Sequence, residues 1–264
     1  MGSEETIVGG LMKVPMAPIG VVNWHIGRCG SSVLGSLLAQ HPEITYSNEI
    51  FSPYMPRRRG DRTLPPLEEV VERARDGLQT RFHLFEVKHL PEQNLGLYPG
   101  LSRSDWVSRF ASLGCQHHLV MRRRNGLRRM VSHVRASSSG VYVSSASASP
   151  PSQAVTIPLE NIVHGFRQRS LLEWLEVYEE GHVRMQEALS DAEVPSLELV
   201  YEEDLEDSPL QAYQRVCQFL ELEPGAPELR YRKINRGKLS DLIANFDAIE
   251  SCLATTRFAW MLDA

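Results

Sequence analysis

A strand that runs straight into a glycine- and hydroxyl-rich turn, followed at once by a short apolar helix, leaves a chain few architectures. Residues 18–25, Pro18-Ile19-Gly20-Val21-Val22-Asn23-Trp24-His25, read as that strand. Gly27-Arg28-Cys29-Gly30-Ser31-Ser32 forms the turn, and Val33 to Gln40 the helix. Pro42 ends the helix, because proline disfavours helical backbone in the residue before it. The order strand, turn, helix points to an α/β sheet.

The alternation continues. Phe82 to Val87 and His117 to Met121 read as strands, with helices predicted over Trp106 to Leu113 and Gly126 to Arg135. From Leu159 to Leu189 apolar residues recur at helical spacing, through Ile162, Val163, Phe166, Trp174, Leu175 and Tyr178. Ser196 to Tyr201 reads as another strand, and Ser208-Pro209 opens a helix to about Leu220, with proline in its favoured first turn. The spacing predicts one α/β domain over 1–264, with a mostly parallel central sheet, helices on both faces and a helical C-terminal portion. Two stretches are less ordered by composition: Pro53 to Pro66, carrying Arg57-Arg58-Arg59, and the Ser/Ala/Gly-rich Ser137 to Ser152. Each is open to two readings, a plain flexible loop or a substrate lid. Residues 1–15 are expected to be flexible, and 137–155 to form a mobile loop.

Composition removes several classes. With 28 Lys+Arg against 33 Asp+Glu and 42% hydrophobic residues, the chain is neither disordered nor a bulk-charge nucleic-acid binder. The basic set divides into 24 Arg and 4 Lys. That bias suits forked recognition of phosphate or sulfate, and genome composition alone also produces it. Cys29, Cys115, Cys217 and Cys252 lie far apart without CxxC spacing, so no zinc site or disulfide framework is indicated, and no metal is expected. No apolar run approaches the roughly 20 residues that cross a bilayer. The acidic start, Met1 to Glu5, lacks a signal-peptide core, so a cytoplasmic protein is expected.

The turn offers unpaired N–H groups at a helix N-terminus, the close approach that Gly30 permits, the hydroxyls of Ser31 and Ser32, and the charge of Arg28. These suit a phosphate or sulfate, and an ordinary tight turn remains the alternative. The Gly-Lys-Ser/Thr of nucleotide triphosphatases and the GxSxG of hydrolases are both missing. A second constellation, Met121-Arg122-Arg123-Arg124-Asn125-Gly126 running to Ser132-His133, puts arginines at a strand end and a serine eight residues past Arg124. Arg124 and Ser132 are then about two helical turns apart, and both reach one phosphate if the loop bends back. A solvated basic face is the competing reading.

These residues resemble the sulfotransferase family. Gly27–Ser32 looks like its 5′-phosphosulfate loop, and Arg124 with Ser132 is similar to its 3′-phosphate motif. Val200-Tyr201-Glu202-Glu203-Asp204-Leu205 resembles its "YEDL" segment, and the ending from Lys233 to Thr256 looks like carbohydrate-type and bacterial members. The resemblance spans residues 18 to 262 and implies a P-loop-like three-layer fold. It implies 3′-phosphoadenosine-5′-phosphosulfate as donor, its 3′,5′-bisphosphate (PAP) as product, and a small-molecule or carbohydrate acceptor. Arg28, Cys29, Gly30, Ser31, Ser32, Arg124, Ser132 and Lys233 would then bind the donor. Arg28 stands where many relatives have lysine, so it would act by charge and hydrogen bonding rather than by giving up a proton. Ser47-Asn48-Glu49 looks like the segment bearing the base in bacterial trehalose-type members. That makes Glu49 the base, with His25 as second candidate, and a surface carboxylate and a packed strand-end histidine as their ordinary readings. Lys88, ending its strand, would stabilise charge at the sulfuryl group or simply reach solvent. His89, His133 and His164 are expected to be ordinary polar residues. A P-loop kinase and a non-catalytic nucleotide-binding protein are the alternatives.

Overall fold

The computed structural model describes residues 17–140, 153–231 and 237–263. Its strands are β1 (Ile19–His25), β2 (Ile44–Glu49), β3 (Phe82–Lys88), β4 (Cys115–Arg122), β5 (Ile162–His164), β6 (Arg167–Arg169) and β7 (Ser196–Val200). Its α-helices are α1 (Ser31–Leu38), α2 (Pro56–Arg59), α3 (Leu67–Arg75), α4 (Arg103–Ser112), α5 (Gly126–Ser139), α6 (Leu171–Asp191), α7 (Pro209–Phe219), α8 (Leu239–Leu242) and α9 (Phe246–Leu253). Five parallel strands make one sheet in the order β2-β3-β1-β4-β7, and β5 and β6 form a separate hairpin.

Side chains alternate across a strand, and that alternation builds three layers. Val21 of β1, Leu84 of β3 and Leu119 of β4 pack under Leu34 and Leu37 of α1 and Tyr213 and Val216 of α7. The neighbouring positions Val22, Trp24, Phe85 and Val120 face the opposite way. They meet Val70 of α3, Trp106 and Phe110 of α4, and Met185 and Leu189 of α6. Each fully buried side chain of this size contributes roughly 1.5–3 kcal/mol by leaving water. The indole of Trp24 donates to His118 Nδ1 at 2.9 Å, so its buried N–H is satisfied. A third core joins Leu127 and Met130 of α5 and Trp174 of α6 to Leu239, Ile249 and Met261 of the C-terminal segment.

The structure corrects one predicted helix. The apolar positions from Leu159 to Phe166 are not helical; they enter the β5–β6 hairpin, and α6 starts only at Leu171. Gly165 turns the hairpin at φ +62° with its Cα pressed toward the Glu92 carbonyl, and Phe166 N–H donates to that carbonyl at 2.8 Å. Ser170 and Glu173 then form a capping box that fixes the helix start. β2 is an additional strand, and part of the Pro53–Pro66 stretch is ordered as a 3₁₀ turn (Ser52–Tyr54) and α2. α5 runs to Ser139, into the expected loop. Residues 1–15 and 141–152, both expected to be mobile, lie outside the described residues, as does Lys233. Among the described residues no helix is long and apolar enough to cross a membrane.

Candidate active site

In open α/β sheets ligands bind beyond the carboxyl ends of the strands, where connections leave for opposite faces. The chain leaves β1 for α1 on one face, whereas α4, which follows β3, packs on the other. The crevice therefore opens beside β1. His25, Glu49 and Lys88 end β1, β2 and β3 along this edge, with His25 and Lys88 in direct register.

The loop after β1 is held in an uncommon shape. Gly27, Arg28 and Gly30 all take positive φ, at +83°, +59° and +89°. For Arg28 this left-handed backbone costs about 1–2 kcal/mol. Arg129 of α5 secures it: fully buried, it donates from Nε to the Gly27 carbonyl at 2.9 Å and from Nη2 to the Ile26 carbonyl, and lies over the Tyr178 ring at 3.7 Å. Arg123 stacks over Tyr201 at 4.3 Å, and burial pushes its guanidinium below the usual arginine range. No side chain caps α1; the Val33 N–H turns back to the Gly30 carbonyl at 3.0 Å, and Ser31 and Ser32 at the helix start line the crevice. The Cys29 side chain is buried in the core beneath α1 and does not line it.

Two ion pairs cross the floor of the crevice. Lys88 Nζ sits 2.7 Å from Glu49 Oε1, both side chains about a quarter exposed. Glu49 reaches this position because the β2–β3 register shifts between Tyr46 and Glu49, with Asn48 at φ +49°. Such a break re-aims the residue that follows it. Beneath lies a buried pair, His25 Nε2 to Glu86 Oε2 at 3.2 Å, with Tyr46 donating to Glu86 Oε1 at 2.7 Å. Burial alone would depress the His25 imidazole, and the Glu86 carboxylate more than offsets it, raising the pKa. The Gly27 N–H donates to His25 Nδ1 at 3.0 Å, a bond that needs the lone pair and so opposes full protonation. His25 is thus buried beneath the loop, its Nδ1 accepting from Gly27 and its Nε2 facing the Glu86 carboxylate as an ion pair. His25, Glu49 and Glu86 hold ligand-type atoms within 4.8 Å of one another, but these atoms are taken up by Lys88 and by each other.

The Arg124 and Ser132 side chains do not meet. Ser132 Oγ accepts from Arg28 Nε at 2.9 Å, which ties α5 to the loop. Arg124 Nη1 pairs with Glu203 at 2.5 Å on the outer rim. The segment resembling "YEDL" is a single π-helical turn, Tyr201–Leu205, closed by Glu206 N–H to the Tyr201 carbonyl at 2.8 Å. Its Glu202 accepts the backbone N–H groups of Arg124 and Asn125 at 3.0 Å each. It therefore clamps the turn between β4 and α5.

Two chambers share the wall made by Glu49 and Lys88. One, about 720 Å³, carries the loop residues together with Arg62, His133 and His164. The other, about 570 Å³, is roofed by the hairpin residues Val163, Phe166 and Arg167. Arg58 and Ser52 also belong to both. His133 and His164 were expected to be ordinary polar residues; both line the larger chamber, and burial lowers the His133 pKa to about 4. Arg129, Glu86 and Tyr46 are further contributors. The one sequence signal for Glu86 is its place two residues before Lys88 on the same strand face. Neither the family models nor the curated proteins contain a match to this chain.

Proposed function

We propose that this protein is a sulfotransferase, moving a sulfuryl group from 3′-phosphoadenosine-5′-phosphosulfate to a hydroxyl or amine of a small-molecule or carbohydrate acceptor. The observation that carries the reading is the Glu49–Lys88 pair, a carboxylate and an ammonium 2.7 Å apart on the wall common to two chambers, beside an anion-type loop. Transfer between two substrates needs such a shared wall, a base on it and a cation beside it.

The loop fits the donor's 5′ end. Backbone N–H groups at the start of α1, the Ser31 and Ser32 hydroxyls and the Arg28 guanidinium face one chamber together. Arg28, held by Ser132, stabilises negative charge gathering on the bridging oxygen as the sulfur–oxygen bond breaks. Glu49 takes the acceptor's proton as the acceptor oxygen bonds to sulfur, and Lys88 offsets charge on the sulfuryl oxygens. The electron pair of the broken bond leaves with PAP. His25 and Glu86 keep the loop and the floor in register from below. Arg124 serves the 3′-phosphate once it exchanges Glu203 for that phosphate.

Calorimetric titration with PAP, AMP and ATP tests this reading. A preference for PAP over AMP of about tenfold or more, lost in Arg124→Ala, is the expected result. Equal binding of AMP and PAP overturns it, and magnesium-dependent ATP turnover would replace it with phosphoryl transfer.

A further inference from the structure

The smaller chamber carries information about the acceptor. Its roof presents two large apolar side chains to solvent, Val163 at 42% and Phe166 at 37% exposure, on a hairpin otherwise stitched to the body of the protein. Met55 and Pro56 add apolar surface opposite. The charges are unequal. Glu49 and Lys88 neutralise each other, which leaves Arg58 and Arg167 without a carboxylate partner among the described residues. Their neighbour on the hairpin differs: Arg169 is spent on Glu92 at 2.7 Å and lies over Trp174. Among the described residues the Arg58 guanidinium donates to the Ser52 hydroxyl.

We infer that the acceptor is an amphiphilic anion: a hydroxyl-bearing molecule with an apolar body and a carboxylate, phosphate or sulfate group that Arg58 and Arg167 receive. The identity of the hydroxyl end rests on the transfer reading above; the anionic end rests on the chamber alone. Arginine's planar fork pairs with two oxygens of such a group at once, which fixes the molecule end to end. Val163 and Phe166 cover its body. Its hydroxyl then lies against Glu49 on the wall shared with the larger chamber. A chamber of this volume holds a drug-sized molecule, not a polymer segment lying free.

Matched probes test this directly: 8-hydroxyoctanoate and 1,8-octanediol share chain and hydroxyl and differ only in the carboxylate. PAP binding is measured first, and each probe is then titrated into the PAP-loaded protein. The hydroxy acid is expected to bind about tenfold or more tighter than the diol, and the margin to shrink with added salt. Arg167→Gln, at an exposed hairpin position, is expected to reduce it to about threefold or less, and Arg58→Gln provides a second, independent variant. Equal affinities, no detectable binding of the hydroxy acid at millimolar concentration, or an unchanged margin in both variants overturns the inference. If PAP fails to bind while unliganded protein still prefers the hydroxy acid, the donor reading falls and the anionic subsite stands. If PAP binds and the preference is missing, the subsite alone falls.

Discussion

Glu49 and Lys88 each end a strand. Lys88 was readable as a candidate because its strand end meets the functional edge of a parallel sheet, whereas Glu49 stood out only through the resemblance of Ser47-Asn48-Glu49 to a family segment. Their partnership was not readable. It depends on β2 lying beside β3, and Ile44-Thr45-Tyr46-Ser47-Asn48-Glu49 is too polar to announce a strand. It also depends on a register break that no composition rule encodes. Replacing the base tests the assignment sharply. Glu49→Gln should lower single-turnover transfer by roughly 10²–10⁴-fold, while calorimetric PAP affinity stays within about threefold. Loss of PAP binding in that variant would reassign Glu49 to holding Lys88 in place. Lys88→Met is expected to slow transfer by roughly 10²–10³-fold through loss of charge at the reacting group, measured in the same assay.

Among the elements, the loop and the hairpin were unequally legible. The loop's glycines stand in the sequence at the spacing an anion turn requires, and Gly30 indeed takes a left-handed backbone. A Cβ there would also lie 3.0 Å from Leu205 and 3.1 Å from Tyr201. Gly30→Ala should therefore destabilise the protein by about 1–2 kcal/mol in urea unfolding and weaken PAP binding together. The hairpin was misread because Leu159, Ile162, Val163 and Phe166 also fit a helical period. Ser170-Leu171-Leu172-Glu173, a capping-box pattern ahead of an apolar run, was the signal that marks the true helix start. At Gly165 a Cβ would fall 1.7 Å from the Glu92 carbonyl oxygen. Gly165→Ala should cost about 3 kcal/mol or more locally and open the hairpin to protease, with cleavage near residues 162–169 as the readout. An intact, resistant hairpin in that variant would mean the turn has another conformation to adopt.

For the whole molecule, an α/β sheet with helices on both faces was legible because buried parallel strands and amphipathic helices alternate along the chain. Interior histidines were less so, since a histidine in a strand carries no mark of its burial. His83 and His118 are fully buried, and burial lowers each to about 4, with Arg75 adding to the effect on His83. Each is neutral in the fold and binds a proton on unfolding below about 6.5. The stability that these two groups contribute is therefore complete above that value and is lost as pH falls from 6.5 toward 4, at roughly 1.4 kcal/mol per pH unit for each group. Urea unfolding at pH 7.5, 6 and 5 should show this steepening, and a flat profile would mean the histidines gain protons inside the fold at no cost. The grip of Arg129, stacked on Tyr178, reaches from α5 and α6 back to the turn after β1, the first turn among the described residues. On the ribosome, that first turn emerges long before its clasp has been made. Transplanted alone into another sheet, Gly27–Ser32 would carry the letters of the loop without its form, so a portable unit has to run from β1 at least to the Tyr201–Leu205 turn that packs on Gly30.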